Sequence, residues 1–474
     1  MRPIDYKIYI GGEFRETESK LNVINPFDHS LVAQTCLGSA RDLDDAISAA
    51  QQCMEELRLL PSFKKHSILN QIADQLSKKK FQFVELLSKE SGKPYKYATG
   101  EIERAIQTFR VAAEESRRLP GVYLDIDWTP AGEGKEGIVK YFPVGIVAGI
   151  SPFNFPLNLA VHKIAPAIAA ACPIILKPSS STPLSTLELA RVIDQTDLPR
   201  GAVSILPMDR KTGNQLVTDP RIKLLSFTGS PEVGWKMKEQ SGKKKVVLEL
   251  GGNAGVIISD SADIEAAVRK CIVGAFAYSG QVCIHAQRIF VQKQVFNHFI
   301  QQFKKQVAGL KTGNPLDPET DISVMIDEDN AKRVEQWVQE ALDSGAELVT
   351  GGKRRNSYYE PTVLSRTSSD MKVCALEIFG PVVTIEQYNA FDDAIEAVNT
   401  GRYGLQAGVF TNKLDEMNAA FQKLDVGGVV INDVPTFRVD HMPYGGIKDS
   451  GLGREGVKYA ILDMMEPKIL VKNK

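Results

Sequence analysis

The sequence predicts an α/β fold built on a doubly wound parallel sheet, and three observations carry that expectation. From Val144 onward short apolar runs alternate with helical patterns, the arrangement of a parallel sheet covered by helices on both faces. A second β/α series follows after Gly251-Gly252, which is a candidate domain boundary. The chain of 474 residues, 43% of them hydrophobic, is long enough for about three domains with a large core.

The elements follow in order. Before residue 120 the chain reads as an opening strand region and then helices. Asp42 is a candidate cap for a helix with Leu43, Ala46, Ile47, Ala49 and Ala50 on one face, and Ser62 precedes another with Ile68, Leu69, Ile72, Ala73 and Leu76. A third helix is expected from Glu101 to Ser116. Tyr123 to Tyr141 holds Pro130, Gly132, Gly134 and Gly137 between β-rich pieces and predicts a projecting hairpin that serves assembly. The alternation then runs as strands at 145–150, 174–176, 203–206, 224–227 and 246–250, with helices at 158–171, 185–195 and 232–240 and an element at 213–217. In the second series a helix is expected from Asp263 to Tyr278, a strand at 289–291, helices near 295–310 and 328–344, and strands near 382–386 and 429–431.

Composition excludes several functions. Fifty-seven Lys and Arg against 58 Asp and Glu leave a formal charge of −1, so no basic excess awaits nucleic acid, and a charged ligand needs a local site. Met1 to Lys7 contains no apolar stretch of a secretory signal, and no apolar run approaches a membrane span, so a cytoplasmic protein without a membrane partner is expected. Six cysteines stand singly, without Cys-x-x-Cys pairs, which indicates neither a disulfide framework nor a metal site.

One perfect Gly-x-Gly-x-x-Gly match, Gly451 to Gly456, lacks a preceding strand and a downstream acid, and reads as a loop. A better phosphate site is Thr228-Gly229-Ser230-Pro231-Glu232. It follows an apolar strand, with Ser230 suited to the N-cap and Pro231 to the first helical turn, and the free N–H groups there favour a pyrophosphate. Alone, that turn is an ordinary capped helix. Lys177, ending the strand before Pro178, points to the same crevice.

Cys283 follows Gly280-Gln281-Val282 and is the candidate nucleophile. A thiol attacks only as thiolate, so it needs a lowered pKa or a nearby base. Glu249 is the candidate base, an acid inside an apolar strand; a salt-bridged strand end is the plainer reading. Asn154, in Phe153-Asn154-Phe155-Pro156, is either an oxyanion donor or a turn asparagine.

Together with Lys177-Pro178-Ser179, Phe227-Thr228-Gly229-Ser230, Glu249-Leu250-Gly251-Gly252, Glu377-Ile378-Phe379-Gly380-Pro381 and Pro443-Tyr444-Gly445-Gly446, these segments resemble in order and spacing the motifs of the NAD(P)-dependent aldehyde dehydrogenase superfamily. Val434 to Pro443 is similar to the C-terminal loop of its lactaldehyde-dehydrogenase-like branch. The resemblance implies a Rossmann-like cofactor domain (1–122 and 143–251), an α/β catalytic domain (252–445) and an oligomerisation arm (123–142 and 455–474) of a homodimer or homotetramer. It implies that Cys283 attacks an aldehyde, that Asn154 and the Cys283 N–H hold the oxyanion, that hydride passes to NAD or NADP, and that Glu249 activates the water that hydrolyses the thioester. Lys177 would bind the adenosine ribose, Ser230 the pyrophosphate and Glu377 the nicotinamide ribose, with Ser179, Ser180, Gly213, Phe227, Thr228, Gly229 and Phe379 completing the cofactor site. Lys163 matches a family lysine near Asn154, with a surface charge as the alternative.

Departures from the family pattern refine the expectation. Many strictly NAD-dependent members carry Glu where this chain has Ser180; Ser does not repel a 2′-phosphate, so NADP should be accepted. His285 replaces a small residue and either contacts substrate or packs. Arg104, Arg438 and His441 are candidates for a polar or anionic substrate pocket, while Val282 stands where glyceraldehyde-3-phosphate members commonly have Arg. A short hydroxylated aldehyde is the expected substrate. The competing readings are a coenzyme A-acylating enzyme, which retained Glu249 disfavours, a non-phosphorylating glyceraldehyde-3-phosphate dehydrogenase, and a non-enzymatic protein on the same fold.

Overall fold

Five parallel strands take the order Val203–Ile205, Ile174–Lys177, Ile146–Ile150, Ile222–Thr228, Lys245–Glu249. In chain order that is third, second, first, fourth, fifth. The winding therefore reverses between the strands ending at Ile150 and Thr228, and ligands in such sheets collect beyond the carboxyl ends at that reversal. The computed structural model describes residues 5–473; Met1 to Ile4, part of the N-terminal reading, and Lys474, the end of the expected arm, lie outside the described residues.

Alternation of side chains explains why these strands read as unbroken apolar runs. Val147, Ile174 and Leu176 pack on the helical layer of Ser62–Lys78, Tyr95–Glu115 and Pro156–Ala169, while Ile146, Ala148, Ile150 and Ile175 face Leu43, Ala46 and Ile47 of Ala40–Leu59. Both faces are buried, so no polar alternation survives. Antiparallel pieces finish the edges: Ile8–Ile10 with Glu13–Arg15 on one side, Gly451–Leu452 on the other.

Several element ends differ from expectation. Ser39, not Asp42, caps the first helix; Asp42 is the third helical residue and returns a bond to the Ser39 N–H, a reciprocal capping box. Ser62 is the first residue of its helix, after Pro61. The helix expected from Glu101 begins at Tyr95, because the buried stripe of Ala98, Ile102, Ala105, Ile106 and Phe109 outweighs the weak helical preference of Tyr95-Lys96-Tyr97 and Gly100. Lys80–Ser91 is a further helix, separated from its predecessor only by a kink at Lys79. The 213–217 element lies in the helix Arg210–Thr218, capped by Asp209.

The second sheet runs Glu347–Thr350, Thr362–Ser365, Val382–Tyr388, Ala286–Gln292, Ala254–Ile258, Gln406–Phe410, Gly428–Ile431, parallel except for its first pair. Its central strands Ala254–Ile258 and Gln406–Phe410 were not singled out in the sequence. The chain is thus the expected mixed α/β fold with two parallel-sheet units. Gly121–Asp125 and Lys135–Pro143 form an antiparallel hairpin, and Met465–Asn473 pairs along the whole of its second strand. Among the described residues no helix is long and apolar enough to cross a membrane.

Candidate active site

Two glycines join the sheets. The carboxyl end of Lys245–Glu249 passes through Gly251-Gly252 into Ala254–Ile258, and a Cβ on Gly252 would lie 2.3 Å from the Cys283 carbonyl oxygen, one on Gly251 2.2 Å from Glu377 Oε2. Only glycine admits that approach. Cys283 arrives there by a forced route. The helix Ile264–Phe276 stops two residues earlier than expected, because Tyr278, Ser279 and Gly280 all take left-handed conformations (φ 48°, 52° and 70°). Such backbone costs roughly 1–2 kcal/mol per non-glycine residue. It is held by Tyr278 Oη donating to Ser91 O (3.0 Å) and Ser279 Oγ to Ser323 O (2.9 Å).

Cys283 lies where two cavities meet. One, of about 550 Å³, is lined by Asn154, Thr228, Gly229, Ser230, Glu249, Glu377 and Phe379; the other, of about 950 Å³, by Tyr97, Arg104, Phe155, Arg438, His441 and Tyr444. The first opens at the reversal of the doubly wound sheet. Ser230 is the N-cap residue of Pro231–Gln240, yet its hydroxyl caps nothing, so it and the helix-start N–H groups are free for an anion. Gly229 rests on the Phe227 ring, where a Cβ would lie 2.5 Å from Cζ; Phe227 itself is buried beneath the turn and does not line the cavity. Glu377 Oε1 accepts the Gly252 N–H (3.0 Å), and burial pushes its carboxyl up to about 8. Phe379, at φ 44°, meets Phe153 edge-on at 5.7 Å. Lys177, Ser179, Ser180 and Gly213 are off this cavity's lining, the first three at and just past the end of the neighbouring strand Ile174–Lys177 and Gly213 in the helix Arg210–Thr218 beside it. There Gly213 makes room for the lysine stem, with a Cβ position 3.0 Å from Lys177 Cε. Burial lowers the Lys177 pKa, and no acceptor among the described residues takes its ammonium. An uncapped helix start, two glycines stripped of side-chain bulk and a free lysine fit a dinucleotide with two phosphates.

The reactive groups are close-set. Asn154 is buried and donates Nδ2–H to Gln281 O (3.0 Å), which ties it to the loop carrying Cys283. Glu249 is 4% exposed, and neither carboxylate oxygen has a partner; burial first, then the nearby Glu455, raise its pKa well above the usual carboxylate range. The salt-bridged strand end is therefore not what Glu249 is. Cys283 Sγ lies 3.2 Å from Tyr444 Oη; burial pushes the thiol up to about 11, and the Tyr444 hydrogen bond opposes that rise. Lys163 is buried, not a surface charge. Its Nζ donates to Thr228 Oγ1 (2.8 Å) and Ser226 Oγ (3.1 Å) and pairs with Glu455 (3.4 Å).

In the larger cavity Arg104 pairs with Asp440 (2.7 Å), and Arg438 with Glu455 (2.8 Å). His441 is exposed at its rim. Buried Lys93 pairs with Glu101 and stands 3.9 Å from the centre of the Phe155 ring and 4.6 Å from that of Tyr278, bracing the wall. His285 corrects an expectation. It is 2% exposed, its Nε2 meets Ala275 O at 2.7 Å, burial lowers its pKa to about 4, and it lines neither cavity, so it packs and does not touch substrate.

The sequence profile of the aldehyde dehydrogenase family matches residues 14–470. The chain belongs to the aldehyde dehydrogenase family. It is 40% identical over 473 residues to a lactaldehyde dehydrogenase of Methanococcus aeolicus, covering 98% of this chain and 100% of that one. Its fold superposes on aldehyde dehydrogenase 21 from Physcomitrella patens, solved with the reaction product succinate, at a TM-score of 0.98 and 42% identity over 100% and 99% of the two chains. It also superposes on the glyceraldehyde-3-phosphate dehydrogenase GapN of Methanocaldococcus jannaschii complexed with NADP, at 0.92 and 38% over 97% and 100%. The protein is accordingly an NAD(P)-dependent enzyme acting on small aldehydes.

Four residues of this aldehyde dehydrogenase site escaped sequence reasoning: His162, Asp440, Tyr444 and Glu455. Asp440 Oδ1 receives both Arg104 and His162 Nε2 (2.8 Å), and burial, which would raise its pKa, is outweighed by those partners. Glu455 sits inside the Gly-x-Gly-x-x-Gly match. That segment is an edge strand and loop, as its context implied, with Gly451 required because a Cβ would lie 2.4 Å from Leu248 O. Discounting the motif as a nucleotide site also hid the one acid in it.

Proposed function

We propose that this aldehyde dehydrogenase oxidises a short aldehyde bearing a hydroxyl or anionic group to its carboxylic acid, and accepts NADP as well as NAD. The carrying observation is the position of Cys283 between a cavity holding Glu249 and Asn154 and one holding Arg104, Arg438 and His441. Cys283 Sγ attacks the carbonyl carbon, and Asn154 Nδ2 with the Cys283 N–H holds the oxyanion. Bound NAD(P) supplies the hydride acceptor. Glu249 is unpaired and its pKa is raised by burial, so in its ionised form it is a stronger base than an ordinary carboxylate and takes the proton of the water that cleaves the thioester.

Lys177 and Ser179 serve the adenosine ribose, Ser230, Gly229 and Thr228 the pyrophosphate, Glu377 and Phe379 the nicotinamide side, and Gly213 with Phe227 shapes the backbone beneath. Ser180 leaves room for a 2′-phosphate, which the NADP complex of the archaeal relative supports. Residues 1–122 and 143–251 form the cofactor domain, 252–445 the catalytic domain, and 123–142 with the strand Met465–Asn473 the arm; the expected start of its C-terminal part at 455 is corrected, because Glu455 lies in the site and Val457, Ile461 and Met464 pack in the cofactor domain's core. Exposed Val122, Tyr123, Leu124, Ile469, Leu470 and Val471 on that arm support a homo-oligomer. Unpaired cysteines support a cytoplasmic setting, and the near-neutral charge supports neither nucleic acid nor membrane as partner.

The test is reduced-cofactor formation over a panel of lactaldehyde, glycolaldehyde, succinic semialdehyde, glyceraldehyde 3-phosphate and unbranched aliphatic aldehydes, with each cofactor, with and without coenzyme A. Cys283→Ala is the blank. Polar aldehydes should lead, and Arg104→Ala should raise their KM about tenfold or more, the worth of a charge-assisted hydrogen bond. Activity that rises with aliphatic chain length, or a kcat/KM for NADP below roughly a hundredth of that for NAD, overturns the substrate or the cofactor reading respectively.

A further inference from the structure

Tyr444 is 3% exposed, and its hydroxyl is 3.2 Å from Cys283 Sγ, the one side-chain hydrogen-bond contact of that sulfur among the described residues. Three connections fix it. Its backbone exchanges hydrogen bonds with Glu455 (Tyr444 N to Glu455 O 2.9 Å, Glu455 N to Tyr444 O 2.6 Å). The Glu455 carboxylate holds Arg438 (2.8 Å), and the Arg438 guanidinium lies 3.7 Å from the centre of the Tyr444 ring. Backbone, carboxylate, guanidinium and ring close a circuit of buried groups, so the phenol cannot swing away from the sulfur without losing its stack on the guanidinium. A phenylalanine would fill the same space and stack on the same guanidinium. Only the hydroxyl reaches the sulfur.

We propose that the Tyr444 hydroxyl donates a hydrogen bond to the Cys283 sulfur as its thiolate forms and again when the sulfur leaves the acyl carbon, and that Arg438 is the positioning residue that holds the ring for this task. Burial keeps the phenol protonated and therefore a donor. A cation over the ring face draws charge from the phenol and strengthens its O–H as a donor. In hydrolysis, water oxygen bonds to the acyl carbon, the carbon–sulfur bond breaks, its electron pair leaves on the sulfur to meet the Tyr444 hydrogen, and the water proton goes to Glu249. Nothing is oxidised in that step. The inference rests on Cys283 being the nucleophile, but its test needs no aldehyde.

The experiment follows alkylation of Cys283 by iodoacetamide against pH in wild type and Tyr444→Phe, without cofactor or substrate. The other five cysteines are buried, and Cys283→Ala gives the background. Loss of one stabilising donor is expected to move the thiol midpoint up by about one pH unit. Intrinsic nucleophilicity rises with thiol pKa at a slope of about 0.4–0.5, so the variant thiolate should react about threefold faster per ionised sulfur. The two profiles therefore cross: Tyr444→Phe is about threefold slower where the thiol is mostly protonated and faster where it is ionised, with the ultraviolet thiolate absorbance displaced in parallel. A change of packing alone scales both limbs in one direction. Arg438→Lys, which keeps a charge for Glu455 but removes the flat guanidinium, should displace the midpoint in the same direction by less. Profiles that run parallel, or a midpoint unmoved in Tyr444→Phe and in Arg438→Lys, overturn the proposal. Alkylation of wild type no faster than Cys283→Ala overturns instead the reading of Cys283 as nucleophile.

Discussion

At Glu249 an acid is buried at the end of a strand with both oxygens unpartnered, a state that costs more the more of it is ionised. The proposed use of Glu249 as a base accounts for that cost. Glu249→Gln should retain a pre-steady-state burst of about one reduced cofactor per site, because attack by Cys283 does not need it, while steady turnover falls on the order of 10²–10⁴-fold. Rapid-mixing absorbance checks this, and loss of the burst together with turnover would move Glu249 to the earlier step. Glu377 offers a pH test. Burial raises its pKa from 4.5 to about 8, so the folded state holds a proton that the unfolded state releases near pH 4.5. Stability from that neutral form is complete below about 4.5 and is lost as pH rises through about 8. Glu377→Gln does not titrate. Its melting temperature, measured without cofactor, should gain on wild type as pH climbs across that window; a difference independent of pH would contradict the assignment.

Elements carry the next level of specification. The helix Ala40–Leu59 starts with Ser39 Oγ accepting the Asp42 N–H (3.3 Å) and Asp42 Oδ2 accepting the Ser39 N–H (2.8 Å). Ser39→Ala should cost about 1 kcal/mol of stability, read as a lower denaturant midpoint at unchanged slope. Kinetics should not change, since Ser39 lines neither cavity beside Cys283. By contrast, the left-handed turn Tyr278-Ser279-Gly280 stores strain beside Cys283, where backbone strain most often has a use. Glu101 and Glu90 act between elements: from their own helices they accept the first N–H groups of Pro156–Ala169 and Leu184–Ile193, which lack caps of their own.

At the scale of the whole molecule, the three-stranded arm exposes a row of apolar side chains, among them Trp128 at 90% and Ile469 at 49%. Left bare, a short sheet of this kind is marginal and prone to pair with another edge. Ile469→Asp should lower the molar mass measured by light scattering at micromolar concentration while leaving far-ultraviolet circular dichroism unchanged. A wild-type protein that is already monomeric there would remove the arm's assigned role.

The fold class, the parallel strands' apolar runs and the hairpin were legible because each depends on local chemistry: a buried run with no polar alternation, a Gly/Pro-rich break. Asn154, Glu249 and Cys283 stood out as an amide, an acid and a thiol in apolar or glycine-flanked settings, and the family resemblance supplied their expected roles. The Lys80–Ser91 helix and the true start at Tyr95 were not, since burial against distant helices overrode weak local preference. His285 misled for the opposite reason: a distinctive residue two positions from the nucleophile turned into the core. By itself the sequence determined on which kind of sheet the chain is built and singled out the groups proposed to do chemistry. Only the tertiary structure decided that Tyr444, held by Arg438 and Glu455, reaches Cys283, and that Lys163 is buried against Thr228 and Glu455. Tyr444 meets Cys283 across 161 positions and Lys163 meets Glu455 across 292, and no local pattern encodes a meeting made only by tertiary packing.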